Sequence, residues 1–214
     1  IIYQYGFEDG LGDWTQTVES GVTEWNVVDN SEDIFIMNPD INPNLVSLPD
    51  GGMLPKTSSG TKAAWFGMAG SGTFIGTFNP NIQGPKNGGT STAVQRGDLD
   101  SPEIDLAGAS LVKLNFRTWW EAEGVDIADG QYDQMRVFVS ADGGAYNMVG
   151  TINPLNDVNG ESFRPYTTGG LGEPGVWVPV SFDFSQFAGQ KIKIRFQFDT
   201  RDALYNGFRG WLID

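Results

Sequence analysis

The chain contains no cysteine and no histidine among its 214 residues. These absences exclude a Ser-His-Asp triad, a thiol nucleophile and an ordinary zinc site, since each needs one of the two missing residue types. Any catalysis would depend on carboxylates, Tyr, Ser or Lys. The missing cysteines also mean that no disulfide supports the fold, which leaves the redox compartment open.

Basic residues are scarce as well, with 13 Lys and Arg against 27 Asp and Glu and a formal net charge of -14. Such a surface repels polyphosphates and anionic lipids, so we expect no nucleic-acid partner. Without a run of 18 apolar residues, we also expect no membrane insertion. The excess carboxylates suit hard cations such as Ca²⁺, although most of them are expected only to solvate the surface.

Glycine and aromatic residues are plentiful, whereas charged residues make up only 19% of the chain. This composition favours many short strands joined by glycine turns over a helical protein. The clearest strand is residues 191–198, where Ile and Phe alternate with Lys, Arg and Gln, which indicates one buried and one wet face. Asp-Gly-Gly at 142–144 predicts a tight hairpin. The length fits a single domain, residues 1–214.

Eight segments rich in aromatic and β-branched residues are predicted as strands, and one helical turn is predicted near 185–189. The strand segments are 23–28, 62–68, 111–120, 135–140, 146–152, 176–184, 191–199 and 208–213. Three intervals rich in Pro, Asn and Gly are predicted as long loops of open function, namely 29–60, 79–97 and 153–176.

Five motifs occur in an order that is similar to a known group of domains. They are GFEDGLGDWTQ (6–16), LDSPEIDLAG (99–108), YDQMRVFVSADGG (132–144), VPVSFDFSQFAGQKIKIRFQFDT (178–200) and YNGFRGWLID (205–214). The chain resembles MAM domains and their bacterial relatives, the jelly-roll modules of immune-inhibitor-A-type peptidases and cleaved-adhesin-like surface proteins. Lacking cysteine, it is more similar to the bacterial branch.

The resemblance implies an all-β fold, a two-sheet antiparallel β-sandwich of the jelly-roll, concanavalin-A-like kind with long loops. It also implies an extracellular or cell-surface location. In the family the last motif continues beyond GWLID, so we expect this sequence to be part of a longer secreted protein.

Acidic residues near both ends form the first candidate site. The first and last strands of a jelly roll are commonly neighbours, so Glu8 and Asp9 are expected to approach Asp214. Calcium needs six to eight oxygen ligands, and a site joining both ends would stabilise the fold. The prediction is a structural Ca²⁺ ion. The alternative is that Glu8 and Asp9 only shape the turn before Gly10.

The second candidate is an acidic stretch after two adjacent tryptophans. Glu121 and Glu123 are two residues apart on a predicted strand, as a glycosidase acid and nucleophile could be. The concanavalin-A-like fold also hosts laminarinase-type glycosidases, but the central Asp of their motif is missing here. A second cation site that includes Asp133, with Asp126 and Asp129 nearby, and a solvated loop are the alternatives.

Aromatic side chains form the third candidate, because sugar-binding modules stack pyranose rings on exposed Trp and Tyr. Trp119 and Trp120 must point to opposite faces if both lie on one strand, so one of them is expected at the surface. Tyr166 lies in a predicted Pro/Gly loop. We therefore predict a ligand site formed by Trp119, Trp120, Tyr166 and Glu121, with packing as the alternative role.

Three classes of function remain. The favoured one is a non-catalytic binding or adhesion module, stabilised by calcium, that recognises a glycan or protein ligand through its loops. The alternative is a structural subunit that self-assembles in a surface layer or filament. A glycosidase using Glu121 or Glu123 is the third and is less favoured, because the carboxylate motif is broken.

Overall fold

A computed structural model describes residues 1–31, 37–82, 88–124, 131–154 and 164–214. Two antiparallel sheets pack face to face, which confirms the predicted β-sandwich. Short 3-10 turns at Leu45–Ser47 and Ser185–Phe187 are the helical elements of these described ranges, and the second confirms the turn predicted at 185–189. No helix within them is long and apolar enough to cross a membrane.

The strands in chain order are β1 (Thr15–Ser20), β2 (Trp25–Asp29), β3 (Lys62–Phe66), β4 (Arg96–Asp100), β5 (Ile104–Asp105), β6 (Lys113–Glu123), β7 (Gln134–Ala141), β8 (Asn147–Thr151), β9 (Pro165–Thr167), β10 (Gly170–Leu171), β11 (Val178–Asp183), β12 (Lys191–Asp199) and β13 (Gly210–Ile213). Sheet A has the order β1-β4-β12-β7-β8, with β5 paired to β12. Sheet B has the order β10-β9-β6-β13-β3-β2, with β11 paired to β6.

The main core lies between the sheets and is rich in aromatic rings. Phe66 of sheet B stacks on Phe198 of sheet A with ring centroids 4.8 Å apart, and Phe196 meets Trp211 at 5.7 Å. In β12 the apolar residues are buried as alternation predicted, and Lys191, Lys193 and Arg195 lie on the outer face. Gln197, which was predicted to be wet, is on that face too but is buried.

The opening stretch of the chain packs against this core. Phe7 contacts Trp14 at 5.6 Å, and Trp14 stacks on Phe196 at 5.9 Å. Phe7 has a φ of 60°, because the chain turns sharply there and its amide oxygen accepts a hydrogen bond from Gly10 N at 2.9 Å. The glycines and aromatics of this motif therefore form a turn and a packing element.

A second apolar cluster lies on the outer face of sheet B. Trp65, Trp119 and Leu212 project outward there, yet each is buried. Leu54 and Trp177 cover them, and the Trp177 indole N–H donates to the Lys56 carbonyl at 2.6 Å. Part of the long interval 29–60 is therefore a cover for this face, a role that the sequence did not indicate.

Two expectations about loops were wrong. The interval 153–176 was predicted without strands, but it contains β9 and β10, where β9 pairs with the end of β6. The interval 79–97 overlaps the start of β4. These strands are short or polar, and pairing with partners distant in the sequence forms them, so no local hydrophobic pattern indicates them.

Candidate functional site

Glu8 and Asp214 both bind one short segment of the chain, residues 59–62. Asp214 accepts hydrogen bonds from Ser59 N at 2.6 Å and Ser59 Oγ at 3.0 Å. Glu8 accepts from Thr61 N and Lys62 N, each at 3.0 Å. The Lys62 N–H and the other donors lower the pKa of Glu8. The two acids are thus brought to the same segment, where backbone N–H groups bind them.

These hydrogen bonds bear on the predicted calcium ion. Segment 59–62 offers N–H donors to these carboxylates, whereas a calcium ion needs further oxygen ligands around it. Asp9 is exposed in the turn that precedes Gly10. Across the part of the chain that the structure describes, no group of three or more acidic side chains is arranged to hold a metal. Calcium binding stays a prediction.

Asp133 is fully buried at the start of β7. One of its carboxylate oxygens accepts a hydrogen bond from Glu123 N at 3.1 Å. Burial raises the pKa of Asp133 well above its ordinary value, and the charges of Asp202 and Asp199 raise it further. Asp126 and Asp129, which were predicted beside Asp133, lie outside the described residues. The second cation site therefore stays a prediction.

Glu121 forms a buried ion pair with Arg209 on the outer side of sheet B. The Nε of Arg209 lies 3.0 Å from Glu121 Oε1, and both side chains are buried. Arg209 also binds Asp50 at 2.8 Å and the Met53 carbonyl, both in the covering segment. Burial lowers the pKa of Arg209, but Glu121 and Asp50 outweigh it and hold the pKa above its ordinary value.

The predicted ligand residues are enclosed by this arrangement. Trp119 and Trp120 do point to opposite faces, as predicted, but both are buried. One of the two was expected at the surface, but Trp120 lies in the main core and Leu54 and Trp177 shield Trp119. Tyr166 is partly buried and packs edge-on against Trp120 at 5.4 Å. A bound glycan could not reach Trp119, Trp120 and Glu121 in this conformation.

A different surface, the outer side of sheet A, carries polar and aromatic groups that are buried or partly buried among one another's strands, with Arg136, Arg195 and Asp100 partly reached by solvent. We call it the polar face of sheet A and define it by outward side chains of β4, β7 and β12 and the residue before β8. Its members are Asp98, Asp100, Arg136, Phe138, Tyr146, Arg195, Gln197 and Asp199. Strand pairing places Arg195 between Asp100 of β4 and Phe138 of β7.

Arg195 is the centre of this face. Its Nε and Nη2 donate to the two oxygens of Asp100 at 2.7 and 2.8 Å, and its Nη1 lies 2.6 Å from Asp98. Its guanidinium also lies 3.9 Å from the centre of the Tyr146 ring. Two carboxylates and one aromatic ring therefore fix the orientation of the guanidinium.

The neighbouring groups are fixed in the same way. Gln197 Nε2 donates to Asp98 at 2.7 Å, and Arg136 binds Asp199 at 2.7 Å. Burial raises the pKa of Asp98, while Gln197 and Arg195 oppose the shift. Burial and the charge of Asp100 raise the pKa of Tyr146 to about 12, so its hydroxyl is neutral at physiological pH. The face offers fixed donors and acceptors beside aromatic rings.

Sequence reasoning missed this face. The alternation in β12 predicted that Arg195 and Gln197 are wet, but nothing identified their neighbours. The Asp-Leu-Asp of residues 98–100 is a usable signal, since two acids at alternate positions can pair with the alternating bases of another strand. Recognising it requires knowing that β4 and β12 are adjacent.

Comparisons with known proteins give a limited result. No protein-family profile matches the chain. Immune inhibitor A of Bacillus thuringiensis subsp. alesti is 27% identical over 117 residues, which are 54% of this chain. The matched part is 14% of that protein's length. This likeness agrees with the resemblance to the immune-inhibitor-A group, whereas the assignment to MAM-like domains stays a prediction.

Two solved structures are weakly similar in shape. TmCBM61, a carbohydrate-binding module in complex with β-1,4-galactotriose, has a TM-score of 0.40 and 14% identity, covering 98% of this chain and 90% of its own. The enzymatically active domain of bacteriophage CBA120 tailspike protein 4 has a TM-score of 0.40 and 8% identity, covering 95% of this chain and 18% of its own. These scores are too low to assign a function.

Proposed function

We propose that this domain is a non-catalytic glycan-binding module whose ligand contacts the polar face of sheet A. The observation that carries the proposal is the array of Arg195, Asp98 and Asp100 beside the ring of Tyr146. A pyranose has an apolar ring face that packs on aromatic side chains and hydroxyl groups that need donors and acceptors. The array supplies both in fixed positions.

The contacts of Glu121, one of the two carboxylates of the less favoured glycosidase alternative, support a non-catalytic role. Glu121 is enclosed and bound to Arg209, so it is not placed to protonate a glycosidic oxygen. The likeness to Immune inhibitor A over 117 residues supports an origin in a larger extracellular or cell-surface protein. Adhesion and calcium stabilisation are further parts of the proposal, and both need direct tests.

A glycan array followed by calorimetry tests the proposal. We expect Tyr146→Ala to weaken binding of the best ligand about tenfold or more, because an aromatic contact contributes about 0.5–1.5 kcal/mol beyond its buried area. Tyr3→Ala is the matched control, since Tyr3 is exposed near the start of the chain, outside the polar face of sheet A. An array without hits, or equal binding by both variants, would disprove the proposal.

Self-association is the second candidate, and one apolar region favours it. A cavity of about 570 Å³ opens between the sheets, and half of its lining residues are aliphatic. At its mouth Ile2 and Leu111 are largely exposed. If two copies meet there, light scattering will detect a concentration-dependent dimer that Leu111→Glu abolishes. A monomer at all concentrations would exclude this candidate.

A further inference from the structure

We infer that the polar face of sheet A selects electrically neutral, hydroxyl-rich saccharides over acidic or sulfated ones. This inference rests on the proposed function and adds the class of ligand. Two observations support it: the arginines of the face are paired with carboxylates, and the whole chain carries a negative net charge.

The two guanidiniums at the centre of the face are already bound to carboxylates. Arg195 binds Asp100 through two nitrogens and Asp98 through the third. Arg136 binds Asp199 at 2.7 Å. A ligand carboxylate or sulfate is best bound by a guanidinium whose two parallel N–H donors are available. An acidic sugar would have to displace Asp100 or Asp199 to obtain them.

Displacing these acids is costly because they are shielded from solvent. Asp199 and Asp98 are nearly fully buried, and Asp98 is also held by Gln197 at 2.7 Å. A buried carboxylate that loses its partner keeps its desolvation cost without the compensating attraction. The pairs therefore remain formed when a ligand binds.

The net charge of the region is close to zero. Arg96 of β4 and the exposed Lys193 of β12 lie on the same side as Arg136 and Arg195, and Glu19 acts on Asp98, so four basic groups face four acidic groups there. The whole chain, by contrast, carries a net charge of -14. Approaching anions therefore meet an overall repulsive field.

Paired acids and bases nevertheless suit hydroxyl groups. A hydroxyl donates one hydrogen bond and accepts others, so neighbouring hydroxyls of a sugar can bind a carboxylate oxygen and a guanidinium N–H at once. Tyr146 adds a neutral hydroxyl and an aromatic ring. These groups recognise hydroxyl pattern and ring shape without requiring charge on the ligand.

The test compares uncharged β-linked hexose oligosaccharides with oligogalacturonate of the same length, by calorimetry at two salt concentrations. Each ligand is measured against the unaltered protein, Tyr146→Ala and Lys193→Glu. Lys193 is exposed on the same outward side of β12, two residues before Arg195 and apart from the paired groups, and its replacement changes the local charge by two units. Thermal melting of both variants verifies that they are folded.

We expect a neutral oligosaccharide to bind, with affinity that changes less than about twofold on raising salt tenfold or on introducing Lys193→Glu, because screening affects only charged ligands. Tyr146→Ala should weaken the same ligand about tenfold. Tighter binding of oligogalacturonate, lost in high salt and in Lys193→Glu, would overturn the inference while leaving glycan binding intact. Failure of both ligand classes to bind at millimolar concentration would overturn the proposed function as well.

Discussion

The outer faces of the two sheets differ in what covers them. Sheet A carries paired charges and polar groups that are buried or partly exposed, with Arg195 bound between Asp98 and Asp100. Sheet B presents Trp65, Trp119 and Leu212, which a segment around Leu54 buries. An outward face of large apolar side chains needs a cover, whereas an outward face of paired charges does not. Among the described residues, the outer face of sheet A is therefore the one with charged groups that solvent partly reaches.

The cover of sheet B is held by charge as well as by apolar contact. Arg209 lies beneath it and joins Glu121 of the sheet to Asp50 and the Met53 carbonyl of the covering segment. Ion pairs between arginine and a carboxylate thus have two roles in one protein. On sheet A they form the proposed ligand surface, and on sheet B they fix a loop.

Removing the buried carboxylate of Glu121 is expected to lower the free energy of unfolding more than any other change considered below. Glu121→Ala leaves Arg209 buried and only partly compensated by Asp50, so we expect the free energy of unfolding to fall by about 3–5 kcal/mol. Urea denaturation measures the change. The control is Glu103→Ala, which removes the exposed partner of Lys191 and should have no measurable effect. Equal stability of the two variants would mean that the buried pair does not hold the cover.

Weakening the apolar contact between Leu54 and the tryptophans of sheet B should destabilise the protein somewhat less. Leu54→Ala removes the buried side chain that covers Trp65 and Trp119, and we expect a loss of about 2–4 kcal/mol. Acrylamide quenching of tryptophan fluorescence should increase at the same time. Leu111→Ala is the control, since Leu111 is 85% exposed. Unchanged quenching in the Leu54 variant would show that the tryptophans are shielded by something else.

A calcium ion held by Glu8 and Asp214 would join the two sheets, because Glu8 precedes the first strand of sheet A and Asp214 follows the last strand of sheet B. Thermal melting with and without calcium tests this prediction. If the ion is bound, a hundredfold excess over its Kd stabilises by about 2.7 kcal/mol, so we expect the Tm to rise by about 5–10 °C. Glu8→Gln or Asp214→Asn should abolish the rise, and Glu173→Gln, an exposed acid elsewhere, should not. Identical melting in calcium and in EDTA would end the calcium prediction for Glu8, Asp9 and Asp214.

The smallest expected effect concerns Asp133, at the start of β7 in sheet A. Because burial raises its pKa in the folded state, the folded protein binds a proton more readily than the unfolded chain. Stability attributable to Asp133 therefore increases as the pH falls from the raised pKa toward 3.8 and is lowest above the raised pKa. Asp133→Asn should be more stable than the unaltered protein at neutral pH, with an advantage that shrinks on acidification.

Denaturation of the Asp133 variant at several pH values measures this dependence. Asp142→Asn, in the exposed β7–β8 turn, is the control for changing one carboxylate. A neutral-pH loss of stability in Asp133→Asn that appears only with calcium present would instead support the predicted second cation site.

Much of the fold could be predicted because strands with one buried face alternate visibly. Residues 191–199 were predicted and form β12 with the expected buried face. The hairpin at 142–144 is confirmed, since Asp142 and Gly143 both have positive φ and β7 pairs with β8. The polar strands β1 and β4 were missed because their pairing partners, not their own composition, make them strands.

The candidate site was far less predictable. Tryptophans at 119 and 120 were expected to differ in exposure, but the covering segment buries Trp119 while Trp120 lies in the main core. Glu121 seemed a free acid, whereas Arg209, far away in the sequence, neutralises it. Whether a side chain is exposed or paired with an opposite charge depends on residues distant in the sequence. A local sequence pattern carries no information about those residues.

The sequence by itself determined an all-β sandwich, the buried face of each clearly alternating strand, and an acidic molecule without histidine or cysteine chemistry. These properties follow from composition and from a side-chain period of two. The tertiary structure alone decided which outer face stays open, because that depends on where the segment around Leu54 folds back. It also decided that Arg195 meets Asp98 and Asp100, since only the adjacency of β4 and β12 brings these charges within bonding distance.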